Sequence, residues 1–403
     1  MKEIQELTKK YEELIIKYRR DFHQHPELAY QEKRTAEKVA EVLEGLGMEV
    51  KRNVGKTGVV GILSGREKGK VLALRADMDA LPIQEETGLA FSSVNKDVMH
   101  ACGHDMHTAI LLGCAHVLTE LKEELKGTIK FIFQPAEENN PVGGAPGMID
   151  DGVLENPKVD AMLALHVWPQ LQTGTAAIKT GTIMGASDRI FISIKGKSSH
   201  GSQPENGIDS VAIASNVVSV LQSIVARNIG PLDAAVISIC KIYGGTKYNV
   251  IADKVQLEGT VRTVDPDIRN AMPKRIENLI KGVTSAMGGE YAFKYVKGYP
   301  PTINDSHMTN LVFRAMQHVL GNDALIAPTS ALGGEDFAFF ATKVPSAYFW
   351  LGCRDRTIPF EEAAPIHNPK FNPDEKALPI GVALMVQAAL DFCESSKSLA
   401  TVI

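Results

Sequence analysis

Residues 71–79 read VLALRADMD, a short apolar run that ends in two aspartates. Similar apolar runs occur at 128–133 and 161–167, and polar residues follow or end each of them. A helical pattern at 33–46 precedes the runs, and another at 108–118 lies between the first two of them. Strands that alternate with helices, with polar residues gathered at the strand ends, are typical of an α/β sheet whose functional site lies at the strand termini.

The pattern changes between about residues 185 and 297. Strands predicted at 189–195, 234–243, 254–263 and 291–296 and helices at 207–227 and 267–287 follow each other in the order βαββαβ. This order is typical of a ferredoxin-like arrangement. A helix near 307–321, a strand at 347–351 and a helix at 374–393 then resume the first pattern. We therefore predict an α+β domain at 185–297, inserted into a discontinuous α/β domain formed by 1–184 and 298–403.

Composition predicts an ordinary globular protein without a nucleic-acid or membrane partner. The 403 residues are 44% hydrophobic and 23% charged, and the net charge of -5 includes no block of basic residues. The five cysteines are widely spaced and form no CxxC pair, which indicates a reducing compartment. Charges interrupt the first twenty residues, and no apolar stretch approaches a membrane span. We expect a cytoplasmic location.

Reactive side chains are densest at residues 100–109, HACGHDMHTA. Cys102 and His104 in this stretch can point at one spot, and thiolate with imidazole suits a divalent metal ion of borderline softness. Read alone, however, the stretch favours a buried cysteine beside surface histidines. The metal interpretation therefore depends on the rest of the chain.

A pair of adjacent carboxylates, Glu137 and Glu138, follows the predicted strand in FQPAEE. A turn aims successive side chains differently, so one carboxylate can bind a metal ion while the other handles protons. Pro135 and the glycine-rich loop 143–147 restrict the chain and leave space beside the pair. The alternative is a solvated acidic loop.

Single histidines mark three more positions. His166 ends the apolar run AMLALH, His367 lies in the irregular loop PIHNPKFNP, and His200 lies in the polar loop SSHGSQPENGIDS of the predicted insert. For each of the three, the alternative is a histidine at a strand end or in a surface loop that has no function in catalysis.

Carboxylates at two further places admit a structural or a functional interpretation. Asp77 and Asp79 lie at the end of a strand. Either carboxylate can orient a metal-bound imidazole by accepting the N–H of its other ring nitrogen. The alternative is an Asx turn. Glu335 and Asp336 follow two glycines at a predicted helix start, where capping of that helix is the favoured interpretation.

Taken together, these pieces resemble the aminoacylase/carboxypeptidase family of metallopeptidases. Within the family they are similar to the amidohydrolase branch, with its hippurate hydrolases, N-acyl-amino-acid amidohydrolases and thermostable carboxypeptidases. The matching stretches follow in order along nearly the whole chain: RRDFHQHPEL, RADMDALP, MHACGHDMHTA, FQPAEE, LHVWP, SSHGSQPENGIDS, GGTKYNVIAD, EGTVRT, GGEDFAFF and HNPKFNPDE. The resemblance implies a catalytic domain of mixed sheet flanked by helices, and an inserted ferredoxin-like lid that also forms a dimer.

The resemblance also implies roles for individual residues. Glu137 becomes the general base, and His200 becomes a lid residue that reaches the reaction centre of its own or of a partner subunit. Asn249 becomes a further contact of the lid with substrate. The implied ligands of two divalent metal ions are Cys102, His104, Glu138, His166 and His367.

This chain departs from many branches of the family at one ligand. Those branches carry His-x-Asp where this chain has Asp77-Met-Asp79, so a histidine ligand is missing and Cys102 looks like its replacement. A thiolate prefers softer ions, so the identity of the metal among zinc, manganese, cobalt and nickel is in doubt. The thiolate also exposes the site to oxidation.

The implied activity is hydrolysis, by metal-activated water, of the amide bond in N-acyl-L-amino acids or in short peptides with a free C-terminal carboxylate. A homodimer or higher homo-oligomer is the expected assembly. One alternative is the N-acetyl-diaminopimelate deacetylase of lysine biosynthesis, which shares these motifs. A non-catalytic metal- or ligand-binding protein is a remote alternative, because the chain keeps Glu137 and every implied ligand. The acyl group, the amino-acid preference and the metal stay open.

Overall fold

The structure of the protein is a computed structural model that describes residues 2–395. The described chain divides into two compact units. The larger unit contains residues 2–183, 303–329 and 336–395, and the smaller unit contains Met184–Thr302 and Ser330–Glu335. The segment Ser330–Glu335, which we expected in the discontinuous domain, therefore groups with the insert. The functional labels of catalytic domain and lid domain stay predictions.

Strands and helices follow each other along the chain with these bounds. The strands are β1 (Glu49–Val54), β2 (Gly58–Ser64), β3 (Glu67–Asp77), β4 (Lys126–Gln134), β5 (Ala161–Gln172), β6 (Ala176–Ala177), β7 (Gly181–Met184), β8 (Ala186–Lys195), β9 (Ala235–Gly244), β10 (Lys254–Thr263), β11 (Glu290–Tyr299), β12 (Thr302–Asn304), β13 (Leu325–Ile326) and β14 (Ser346–Arg354). The α-helices are α1 (Lys2–Gln24), α2 (Lys33–Gly45), α3 (His104–Glu120), α4 (Ala145–Asp150), α5 (Ser210–Asn228), α6 (Pro266–Ala286), α7 (Ser306–Leu320), α8 (Phe337–Ala341) and α9 (Ala377–Glu394).

The larger unit is built on an eight-stranded sheet in the order β1-β2-β4-β3-β5-β14-β6-β13. Strands β4, β3, β5 and β14 run parallel, whereas β1 and β2 are antiparallel to their neighbours, so the sheet is mixed. Helices flank the sheet and share one apolar core with it. The predicted α/β class with a mixed sheet is confirmed.

Helices α3 and α9 are buried on most of their surface, as their nearly continuous apolar sequences require. Helix α1 packs on α3, and the hydroxyl of Tyr18 lies 3.0 Å from Nε2 of His116. Helix α1 was not predicted, because charges along its length obscure buried positions such as Ile15 and Phe22.

The topology brings polar strand ends to one edge of the sheet. Strands β3, β4 and β5 are parallel, so their carboxyl ends meet there. Strand β3 ends at Asp77, β4 ends just before the PAEE turn, and β5 carries His166. Strand β5 continues to Gln172, beyond the end that we predicted from the apolar run.

The smaller unit has a four-stranded sheet in the order β11-β8-β10-β9, with every neighbouring pair antiparallel. Its helices α5 and α6 pack with the sheet in a separate apolar core. This is the predicted ferredoxin-like arrangement. Two helices among the described residues, Ser210–Asn228 and Ala377–Glu394, are long and apolar enough to cross a membrane by length and composition alone. Each of them contributes apolar side chains to the core of its own unit.

Candidate metal centre

Cys102 and His104 lie on either side of Gly103, at the point where α3 begins. Gly103 has φ +91°, and a Cβ atom there would lie 2.5 Å from Cγ2 of Val167, so the backbone requires glycine. Helix α3 begins at His104 and not near residue 108 as we predicted, which places His104 in the first helical turn. The ligand atoms of Cys102, His104 and His166 lie within 4.8 Å of one another.

Two backbone carbonyls fix the tautomers of His104 and His166. Nδ1 of His104 lies 2.8 Å from the carbonyl oxygen of Asp79, and Nδ1 of His166 lies 2.6 Å from that of Val167. Because a carbonyl oxygen only accepts, Nδ1 carries the proton in the neutral form of each ring, and the lone pair of that form lies on Nε2. Nε2 of His104 is buried without a hydrogen-bond partner, and Nε2 of His166 lies 3.4 Å from Sγ of Cys102. Such nitrogens suit a cation.

A second group, which shares Cys102 with the first, contains Glu138 and His367. Their ligand atoms also lie within 4.8 Å of one another, and Nε2 of His367 is 3.0 Å from Oε1 of Glu138. The backbone N–H of His367 donates to the carbonyl of Ala101 at 2.7 Å, which ties the PIHNP loop to the cysteine loop. His367 has φ +65°, a strained conformation for a residue other than glycine.

The PAEE turn presents the two adjacent carboxylates. The backbone N–H groups of Glu137 and Glu138 donate to the two carboxylate oxygens of Asp79, at 3.0 and 2.9 Å. Carboxylate oxygens of both glutamates lie within 4.8 Å of a ring nitrogen of His104. Glu137 is buried, and its Oε1 accepts the N–H of Asp336 at 3.3 Å. Asp79 therefore orients the turn and His104 together.

Electrostatics in this cluster favour a bound cation. Burial raises the pKa of the Cys102 thiol well above its ordinary value, and Glu138 and Glu137 raise it further. Burial lowers the pKa of His104, but Asp77 and Asp79 outweigh this effect and raise the pKa to about 10. A divalent ion would supply the positive charge that these groups require and would stabilise the thiolate. The residues present therefore fit the expected metal ions.

A buried polar network next to this cluster was not predicted from the sequence. Arg75 donates to Oδ2 of Asp77 at 2.6 Å and to Oδ1 of Asp336 at 3.0 Å, with all three side chains fully buried. Oδ2 of Asp336 accepts the N–H groups of Gly144 and Ala145 at 2.8 and 3.0 Å. The predicted helix-capping role of Asp336 is wrong, because its side chain makes no cap bond to α8. An arginine inside an apolar strand was the available signal, since a buried charge needs partners.

His200 and Asn249 lie next to each other in the smaller unit. The N–H of Gly201 donates to the carbonyl of Asn249 at 2.8 Å, and His200 forms an isolated β-bridge with Val250. The imidazole of His200 is exposed, and its Nδ1 lies 2.7 Å from Oγ of Ser202. Their predicted roles in catalysis and substrate binding stay predictions.

Comparisons with known proteins place the chain in a family. An N-acyl-L-amino acid amidohydrolase from Geobacillus stearothermophilus is 45% identical over 303 residues, which cover 75% of this chain and 81% of that protein. An N-acetylcysteine deacetylase from Bacillus subtilis is 41% identical over 384 residues, with 95% and 98% covered. The crystal structure of a dinuclear metal-binding M20 peptidase from Bacillus subtilis superposes with a TM-score of 0.84 at 37% identity, over 96% of this chain and 99% of that one.

The family model of peptidase family M20/M25/M40 matches residues 73–391, which include every residue of the cluster described above. This match agrees with the resemblance found in the sequence motifs. The chain therefore belongs to peptidase family M20/M25/M40 and is a hydrolase that acts on amide bonds.

Proposed function

We propose that the chain is a metal-dependent amidohydrolase that cleaves N-acyl-L-amino acids, or short peptides with a free C-terminal carboxylate. One observation carries the proposal: two overlapping groups of metal-binding atoms share Cys102, and Glu137 lies beside them with its backbone fixed by Asp79. A thiolate common to two groups suits a pair of cations. A buried carboxylate beside them suits a proton-transfer group.

Five residues would hold the metal ions: Cys102, His104, Glu138, His166 and His367. The mixture of nitrogen, sulfur and oxygen donors suits a transition-metal ion such as zinc, manganese, cobalt or nickel better than calcium or magnesium, which prefer oxygen donors alone. Two such ions, when bound, would act as Lewis acids that polarise the substrate carbonyl and lower the pKa of water. The fixed tautomers of His104 and His166 support this assignment, because they leave a lone pair available on each Nε2.

Glu137 would move the proton. It would accept a proton from the attacking water and deliver it to the leaving amine, a role that accelerates reactions roughly 100- to 10,000-fold. The side chain of Glu137 is buried, and Asp79 fixes the PAEE turn that carries it, so the carboxylate is held in place. Glu138, the next residue, would bind metal instead, because the turn aims the two side chains differently.

The smaller unit would act as a lid. His200 would donate to the oxyanion of the tetrahedral intermediate, and Asn249 would contact the substrate. Backbone hydrogen bonding joins the loop of His200 to the loop of Asn249. This contact supports a joint role, because the two loops would move together. We further infer a homodimer and a cytoplasmic location; the free thiols of all five cysteines support a reducing compartment.

The names of two relatives support the substrate class. One is an N-acyl-L-amino acid amidohydrolase and the other an N-acetylcysteine deacetylase, so each removes an acyl group from an amino acid. We infer the same class for this chain.

A substrate panel on metal-stripped protein tests the proposal. The protein is reloaded with zinc, manganese, cobalt or nickel and assayed with hippurate, a series of N-acetyl amino acids, and N-acetyl-diaminopimelate. We expect metal-dependent release of several free amino acids and tight binding of two metal equivalents. Cleavage of N-acetyl-diaminopimelate alone would select the deacetylase alternative. Metal binding without cleavage of any panel member would favour the non-catalytic alternative.

A further inference from the structure

Glu32 is a fully buried carboxylate far from Glu137 in sequence but joined to its turn. Oε1 of Glu32 accepts the N–H of Ala136 at 2.9 Å and the N–H of Tyr30 at 2.9 Å. Oε2 accepts the hydroxyl of Thr57 at 2.6 Å. Both oxygens are therefore satisfied, and one of them holds the residue that precedes Glu137.

The position of Glu32 in its helix does not explain this arrangement. Glu32 is the N-cap residue of α2, yet its side chain makes no cap bond to that helix. Glu27 performs the capping instead, since its two carboxylate oxygens accept the N–H groups of Arg34 and Thr35 at 3.0 and 2.8 Å. The side chain of Glu32 is thus left to bind the PAEE turn.

The turn that Glu32 binds needs an external restraint. Ala136 has φ +56°, a left-handed conformation that costs roughly 1–2 kcal/mol for a residue with a Cβ atom. Its N–H donates to the buried carboxylate of Glu32. The next two N–H groups, of Glu137 and Glu138, donate to the buried carboxylate of Asp79. Three successive amides with fixed directions determine where the side chains of Glu137 and Glu138 point.

We propose that Glu32 is a positioning residue for hydrolysis: by holding the N–H of Ala136, it fixes the left-handed turn that aims Glu137 at the water and Glu138 at the metal ions. Glu32 belongs to none of the groups of metal-binding atoms described above. The inference rests on the proposed function, because Glu137 and Glu138 have their roles from it. A displacement of about 1 Å at a catalytic group costs as much as 100-fold in rate, so one hydrogen bond in this turn has a large effect.

Three variants test the role of Glu32. Glu32→Ala removes the acceptor, and we expect kcat to fall roughly 10- to 100-fold with a smaller change in KM, as for other residues that support a metal site. Glu32→Gln keeps an acceptor for Ala136, while its amide can donate to the hydroxyl of Thr57, and should recover most of the lost kcat. Glu27→Ala is the matched control: it removes the cap of the same helix and should lower Tm without lowering kcat.

Hydrogen exchange supplies a measurement that does not depend on activity. The amides of residues 136–138 should exchange faster in Glu32→Ala than in the wild type or in Glu27→Ala. If Glu27→Ala loses as much kcat as Glu32→Ala, or if Glu32→Gln is as inactive as Glu32→Ala, the positioning role is overturned. If the wild type cleaves no member of the substrate panel, the proposed function fails. Even in that case, unchanged hydrogen exchange at residues 136–138 in Glu32→Ala would by itself show that Glu32 does not restrain the turn.

Discussion

Nε2 of His107 accepts the backbone N–H of Val167 at 2.9 Å, one residue beyond His166. The acceptor role fixes the tautomer, so Nδ1 carries the proton that binds Oδ1 of Asp77 at 2.6 Å. Both ring nitrogens are thus engaged. His107 lies close to His104 and Asp77, but it has no lone pair left for a metal ion, and its bond to Val167 instead fixes the strand that carries His166.

Removal of the His107 side chain should weaken metal binding without removing a ligand. His107→Ala frees the N–H of Val167 and one oxygen of Asp77, so we expect metal affinity to fall roughly 10- to 100-fold with the stoichiometry retained. Titration calorimetry of metal-stripped protein with zinc measures this change. His116→Ala on the same helix is the control, because the ring of His116 contacts Tyr11 and Tyr18 of α1. Equal affinities in the two variants would contradict the prediction.

Cys102 belongs to both groups of metal-binding atoms, so its loss should be more damaging than the loss of another buried thiol. Cys102→Ala should bind fewer metal equivalents after gel filtration, as measured by elemental analysis. Cys114→Ala, which removes a buried thiol from α3, should keep them all. Mild peroxide should likewise release metal from the wild type, since a thiolate ligand is oxidisable. A Cys102→Ala protein with full metal content would exclude the thiol as a shared ligand.

Regular elements were predictable where one periodic pattern covered the whole element. Strand β10 lies at Lys254–Thr263, as predicted, and α2 at Lys33–Gly45 differs from its prediction by one residue. We predicted the wrong start for α3. Its N-cap residue is Gly103, a glycine in the left-handed conformation that makes no side-chain cap bond, so the sequence has no polar capping residue to mark the start. The site was predictable as a set because the carboxyl ends of parallel strands meet at one edge.

The supporting residues were not predictable, because their function lies in hydrogen-bond directions between distant parts of the chain. Glu32 binds Ala136 across 104 positions, and Arg75 binds Asp336 across 261. Spacing patterns extend over a few turns of helix or one strand, so they identify neither partner. Arg75 in an apolar strand indicates that a buried charge needs a partner, but not which residue that partner is. His107 was visible in the motif, but only its bond to Val167 separates it from a ligand.

Glu137→Gln should separate metal binding from catalysis. The amide keeps the size of the side chain but cannot accept a proton from water, so kcat should fall roughly 100- to 10,000-fold. Metal content should stay unchanged, because Glu138 and the other four implied ligands are untouched. Steady-state assays and elemental analysis on the same preparation measure both. A folded, metal-loaded Glu137→Gln enzyme with wild-type kcat would refute the assignment of the base.

Glu32 should also make the stability of the protein depend on pH. Burial, with a further contribution from Asp79, raises the pKa of Glu32 to about 7 from its ordinary 4.5. The contribution of this group to the free energy of unfolding is therefore fully present below pH 4.5 and is lost as the pH rises through 7. The loss is at most about 3 kcal/mol. Glu32→Gln does not titrate, so its Tm relative to the wild type should increase between pH 5 and pH 8.

Scanning calorimetry at one scan rate across that pH range measures the difference. Glu37→Gln is the matched control, because Glu37 lies on the same helix and forms an exposed ion pair with Arg52 at 2.6 Å. Exposed pairs contribute little, so this variant should follow the wild type at every pH. Parallel curves for Glu32→Gln and the wild type would show that Glu32 does not titrate in this range.

His200 should affect turnover far more than folding. Its imidazole is exposed and bonds Ser202 in its own loop, so His200→Ala removes little packing and should leave Tm nearly unchanged. Loss of a donor to the oxyanion should lower kcat by roughly 100- to 1,000-fold. Ser202→Ala is the control, since it removes the neighbour of the imidazole but keeps the imidazole itself. A His200→Ala enzyme with wild-type kcat would remove His200 from the catalytic set.

Mixing two inactive variants decides which subunit His200 serves. If His200 completes the site of a partner, a hybrid dimer of His200→Ala with Glu137→Gln contains one site with both wild-type residues, because each subunit supplies what the other lacks. With random assortment, about half of the dimers are hybrids, and one of the two sites in each hybrid is intact. Activity should then recover to as much as about one quarter of the wild-type level. If His200 serves its own subunit, every site in the hybrid lacks one residue. Activity should then stay at the level of the separate variants after subunit exchange.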